Sequence, residues 1–99
     1  MTTQETKQML KRVNELLGTD YDRLNWVYIS AFNELTDDFI REFANYLDWD
    51  FVLVFQNLSE NIIAEYGKSL TDALARLTDE KDLFSVVSAK YPTLAVHQS

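Results

Sequence analysis

The chain has 99 residues, no cysteine, one proline and two glycines, and its 16 acids against 9 bases set a net charge of −7. These facts exclude disulfides, thiol catalysis and cysteine-held metals. They also disfavour direct binding to nucleic acid, where Lys and Arg must displace counterions from phosphate. Ordinary apolar content with so few turn residues favours a folded helical domain over a β fold or a disordered chain.

Residues 3–17 read as an amphipathic helix, with Met9, Leu10, Val13, Leu16 and Leu17 on one stripe and Lys7, Lys11, Arg12 and Glu15 off it. Gly18 is placed to end that helix in the left-handed conformation, and Thr19–Arg23 is a polar connector. From there the chain repeats itself. Residues 24–46 align without gaps on residues 47–69, a shift of 23, with identities at Leu24/Leu47, Trp26/Trp49, Phe32/Phe55, Leu35/Leu58, Ile40/Ile63 and Glu42/Glu65. Each copy reads as two short helices. Asn25 and Asp48 cap the first, over 26–32 and 49–55. Thr36 and Ser59 cap the second, over 37–46 and 60–69. Leu35 facing Ile40, and Leu58 facing Ile63, resemble a hydrophobic staple.

Residues 70–91 read as a degenerate third copy without a Trp, helical over 72–90 and stopped by Pro92. Residues 92–99 form a tail that docks as an extended arm or frays. The expected fold is therefore all-α: one domain over 1–99, a small helical array of two 23-residue helix-turn-helix repeats flanked by an N-terminal and a C-terminal helix. Trp26, Trp49, Phe32, Phe55, Leu35, Leu58, Ile40 and Ile63 are its expected structural core, because each unit must bury the same face.

Residues 20–65 carry ten acids against Arg23 and Arg41, a net −8, whereas 1–19 carry +1 and 66–99 balance. Helix-start stabilisation accounts for Asp37, Asp38, Asp48, Asp50 and Glu60, but not for the scarcity of bases at the helix ends. That surplus makes Asp37, Asp38, Glu42, Asp48, Asp50 and Glu60 the candidate partner contacts. Glu42 and Glu65 as a catalytic or metal-binding pair lack a histidine partner, since the single histidine, His97, lies in the tail. With no phosphate loop and no nucleophile elbow, neither catalysis nor a metal or other cofactor is expected. The start of the chain has no signal-like apolar run and no stretch has spanning length. A reduced cytoplasmic setting is expected, without membrane attachment.

The repeated string W-x-x-[IV]-x-x-x-F-x-x-L-[ST]-[DE]-x-[FI]-I-x-E-[FY] resembles the tandem "LSExFIxEF" repeats found in proteins of bacteriophages and large DNA viruses. It matches at Trp26/Trp49, Ile29/Val52, Phe32/Phe55, Leu35/Leu58, Thr36/Ser59, Ile40/Ile63, Glu42/Glu65 and Phe43/Tyr66, over about half the chain. The resemblance implies an architecture and a viral or prophage origin, with the host cytoplasm as location, rather than an activity. Together these features suggest a small phage-type protein that binds and inhibits a host protein. An anti-CRISPR or anti-restriction inhibitor is its most concrete form, acting by steric block or DNA mimicry on a basic-surfaced, nucleic-acid-processing enzyme. A homodimerising assembly module is the alternative, and helix-turn-helix DNA binding a third reading opposed by charge. Function is expected where the copies differ: Val27/Asp50, Ser30/Leu53, Asp38/Asn61 and Arg41/Ala64.

Overall fold

The computed structural model describes residues 2–96 of the chain, which are helical with no strand among them. Helix α1, Thr3–Leu17, is opened by the Thr2 hydroxyl accepting from Glu5 N–H and closed by Gly18 at φ 66°. That is the left-handed cap a glycine adopts without Cβ strain.

The next four helices start and stop in step. α2 (Trp26–Phe32) and α4 (Trp49–Phe55) are 23 positions apart, as are α3 (Asp37–Glu42) and α5 (Glu60–Glu65). Each start is held by its cap. Asn25 accepts from Tyr28 N–H at 3.1 Å and Asp48 from Phe51 N–H at 3.4 Å. Thr36 accepts from Phe39 N–H at 3.1 Å and Ser59 from Ile62 N–H at 3.2 Å. A cap of this kind stabilises by roughly 1 kcal/mol, which matters for helices too short to persist alone.

The second helices are shorter than expected, ending at Glu42 and Glu65 rather than at 46 and 69. After α3 the chain turns at Phe43, where Tyr46 and Leu47 N–H both donate to the Phe43 carbonyl, and Trp49 Nε1 takes the Ala44 carbonyl at 3.0 Å. The third segment has Asp72 where the second has Trp49. There α6 (Gly67–Arg76) follows α5 after Tyr66 alone. The continuous helix expected over 72–90 is broken by a turn at Leu77–Glu80 into α6 and α7 (Lys81–Lys90). Thr78 Oγ1 donates to the Ala75 carbonyl in that turn, a local bond that competes with helix continuation. Pro92 does not merely stop the chain. It opens a short helix α8, Pro92–Val96, at the first-turn position where its missing N–H costs nothing, and Leu94 is buried in place of the expected extended arm. His97 lies outside the described residues.

Two apolar clusters share α4 as a wall. Val52 joins Val13, Ile29, Leu35, Phe39, Ile40, Phe43, Leu47 and Ile62. The adjacent Leu53 joins Leu70, Ala73, Leu74, Leu77, Val87, Tyr91 and Leu94. Trp49 and Leu58 touch both. The molecule is accordingly elongated, 44 × 25 × 23 Å. Of the expected core, Leu35 and Ile40 are buried, and Trp26, Trp49, Leu58 and Ile63 are half-buried against the clusters. Phe32 and Phe55 are a correction: they are 67% and 53% exposed. The reason is angular. Ile29 and Ser30 mark the buried face of α2, and Val52 and Leu53 that of α4. At about 100° per residue, Phe32 and Phe55 each point about 110° away from it.

Candidate functional site

The six candidate carboxylates do not form one free face. Glu42 accepts two bonds from the Arg12 guanidinium, both 3.0 Å, across α1 and α3. That hydrogen bond, aided by the positive charge, holds the Glu42 carboxyl below its ordinary range. Its counterpart Glu65 is paired likewise with Arg41 of α3, at 3.0 Å. Asp50 is gripped by Arg76 of α6 at 2.6–3.1 Å. Asp37 accepts from Ser59 Oγ at 2.8 Å, tying the starts of α3 and α5, and Asp48 serves as the α4 cap. Asp38, 98% exposed at its side chain, makes only a 3.4 Å contact with Arg41, and Glu60 stands exposed in the first turn of α5. Four of the six thus hold the array together, which removes the premise of a continuous phosphate-like row.

The positions where the copies differ are also largely structural. Ser30 is fully buried and its hydroxyl accepts from Asp48 N–H at 3.0 Å, joining α2 to α4, while Leu53 at the equivalent place fills the second cluster. Arg41 and Asp50 are spent on ion pairs. Val27 is exposed, as is Asp38.

Among the exposed apolar side chains, which also include Leu16, Val27, Tyr46, Leu83 and Val86, the rings Tyr28, Phe32 and Phe55 adjoin one another. Five rings run in a continuous strip from Tyr21, in the connector before α2, across α2 and α4. Tyr21 meets Tyr28 edge-on at 5.8 Å, and Tyr28 lies 4.6 Å from Phe32 one turn on. Phe32 stacks on Phe55 at 6.3 Å across the helix pair, and Phe55 stacks on Phe51 at 5.9 Å. Tyr28, Phe32 and Phe55 are exposed, and Tyr21 and Phe51 half-buried. A cleft of about 430 Å³ opens beside Phe32 and Phe55, edged by Asn33, Glu34 and Asn57.

The floor beneath that cleft is tied together by hydrogen bonds. Gln56, buried at the α4 C-cap, donates to the Ser30 and Asn33 carbonyls at 2.8 and 2.6 Å and accepts from Leu35 N–H at 3.1 Å. Its own carbonyl accepts from Tyr91 Oη and Lys90 Nζ. Asn33, the equivalent residue in the first copy, donates to Tyr21 Oη and so props the end of the strip. In the sequence the repetition of Phe32 and Phe55 reads as core. The signal that finds them is the angle between Phe32 and the Ile29–Ser30 face, available once the seven-residue helix is drawn.

No group of three or more His, Asp or Glu side chains that would hold a metal occurs among the described residues. No helix among them is long and apolar enough to cross a membrane. Comparison of the chain with protein-family models, curated proteins and solved structures finds no match, so the site is read from its own geometry.

Proposed function

We propose that this protein acts by binding another protein, and that the strip Tyr21–Tyr28–Phe32–Phe55–Phe51 is its docking surface. The observation that carries the reading is the exposure of Phe32 and Phe55 at equivalent places in the two copies, stacked on each other over a buried polar floor. A small fold that buries Ile, Leu and Val efficiently loses free energy by leaving two phenylalanines in water, at about 25 cal/mol per Å² of apolar surface. Rigid aromatic anchors beside hydrogen-bonding rim groups are the composition of protein-binding hot spots, and contiguous apolar patches on small proteins mark such sites. Asn33 and Asn57 supply the rim here.

Within that reading, the phage-type inhibitor of a host nucleic-acid-processing enzyme is supported by the repeat string and by the net charge of −7. We assign its contact to the rings and its action to steric block, with carboxylates as a secondary, long-range contribution to encounter. Phosphate mimicry by Asp37, Glu42, Asp48 and Asp50 conflicts with their bonds to Ser59, Arg12, the α4 backbone and Arg76.

The test is capture from a bacterial lysate, read by mass spectrometry. We expect a specific partner on the wild-type chain, lost on the Phe32→Ser/Phe55→Ser double variant and kept on Asp38→Asn/Glu60→Gln. Loss on the acid variant with retention on the ring variant would reverse the assignment.

A further inference from the structure

We infer that the occupant of the aromatic strip is a basic amphipathic helix of another protein, rather than a second copy of this chain. The inference rests on the docking reading above and names the chemistry of the partner. Three observations carry it.

The first is length. Successive ring centroids lie 4.6–6.3 Å apart. The strip therefore spans no more than about 23 Å, which about four turns of a partner helix cover. Apolar residues recurring at helical spacing along such a helix meet rings spaced in this way, and the polar cleft beside Phe32 and Phe55, lined by Asn33, Glu34 and Asn57, lies where its flanking polar groups would run.

The second is the charge beside the rings. Asp22 lines a small cleft together with Tyr21 and Tyr28, and Glu34 lines the cleft beside Phe32 and Phe55. Asp20 is exposed next to Tyr21. Arg23 is the one base in these two linings. Unlike Glu42, Glu65 and Asp50, which Arg12, Arg41 and Arg76 neutralise, these three carboxylates take part in no ion pair among the described residues. They stand where Lys or Arg flanking the apolar stripe of a bound helix would lie.

The third is the cost of self-pairing. Residues 20–65 hold a net −8, of which Arg12 and Arg76, reaching in from outside the segment, offset two charges. Two copies apposed ring to ring would bring the remaining excess together, a repulsion that opposes a dimer and favours a cationic partner.

The experiment is a titration of the full-length ¹⁵N-labelled chain with two synthetic probes, an 18-residue amphipathic helix of Leu and Lys and its Leu/Glu counterpart. The expected result is that the Leu/Lys peptide shifts resonances of Tyr28, Phe32, Glu34, Phe51 and Phe55. Its binding should weaken at least ten-fold in F32S/F55S, a few-fold in Asp22→Asn/Glu34→Gln, and several-fold when salt is raised from about 20 to about 150 mM. Both variants alter exposed residues, and circular dichroism shows whether they remain folded. Equal binding of the Leu/Glu peptide at the same resonances overturns the basic partner and leaves the docking surface standing. Leu/Lys binding that F32S/F55S does not weaken, or that shifts only acids elsewhere, overturns the inference as unspecific charge attraction. Binding of neither peptide, with a sedimenting dimer that F32S/F55S dissolves, assigns the strip to a second copy. Binding of neither with no dimer, and lysate capture indifferent to F32S/F55S, removes the docking reading itself.

Discussion

At the scale of single residues, the most consequential side chain is one whose type says little. Gln56 is a buried amide that satisfies the Ser30 carbonyl in the last turn of α2 and, just beyond that helix, the Asn33 carbonyl and the Leu35 N–H. Truncating it strands those groups away from water, and an unsatisfied buried group costs about 1–3 kcal/mol. We expect Gln56→Ala to lose roughly 2–3 kcal/mol in urea unfolding and to broaden the Phe32 and Phe55 resonances, because the cleft floor loosens. Stability within experimental error of wild type would show that water replaces the amide without penalty. Nothing in the sequence marks Gln56: its neighbour in the repeat is Asn33, an ordinary turn residue, and its partners lie 21–26 positions away. Local caps such as Thr36 and Ser59 were legible because their partners lie three residues on. A long-range amide bond leaves no such trace.

At the scale of elements, boundaries set by a local cap or stop were readable, as at Gly18 and at the starts of α2 to α5, whereas the ends of α3 and α5 and the break between α6 and α7 were not. Caps announce a start chemically, whereas α3 ends where Trp49, six positions beyond Phe43, takes a carbonyl the helix would otherwise use. The acids illustrate the same limit. Their placement at helix starts was visible, but their partners on other helices were not, so Glu42 and Asp50 read as free surface when they are clamps. The arginine of one element reaches the carboxylate of another three times: Arg12 to Glu42, Arg41 to Glu65, Arg76 to Asp50. These pairs sit in solvent and set register more than stability. The sign of their pH dependence follows from Glu42. Its carboxyl titrates below the usual 4.5 because Arg12 donates to the ionised form. The bond therefore adds stability in full above that value and loses it as pH falls through the lowered one. Glu42→Gln should melt slightly below wild type at pH 7, and the gap should narrow as pH falls through the lowered range of the wild-type carboxyl. A gap between the melting curves that does not change with pH would mean that Glu42 acts through packing rather than charge.

At the scale of the molecule, the question is whether two apolar clusters make two folding units. Val52 and Leu53 are consecutive residues of a seven-residue helix, one facing each cluster, so α4 cannot unfold without opening both. Trp49 and Leu58 bridge the same divide, and Tyr91 Oη, from the second cluster, bonds both the Gln56 carbonyl and the Leu58 N–H. Coupling of this density argues for one cooperative transition, despite a repeat arrangement in which neighbouring units often unfold in steps. Leu53→Ala tests it. Leu53 is fully buried, so truncation should cost about 2–5 kcal/mol and lower the melting temperature by more than about 10 °C in a chain of this length. If the clusters are one unit, fluorescence of Trp26, which packs on the first cluster alone and is read in a Trp49→Phe background because Trp49 touches both, should fall in step with far-UV circular dichroism although the substitution is in the second. If tryptophan fluorescence keeps the midpoint of that background while dichroism loses an early component, α6–α8 unfold alone. The aromatic strip, carried by α2 and α4, would then outlast the C-terminal half. One transition instead makes the strip as stable as the whole molecule and presents its rings already ordered, so that binding spends little free energy on arranging them.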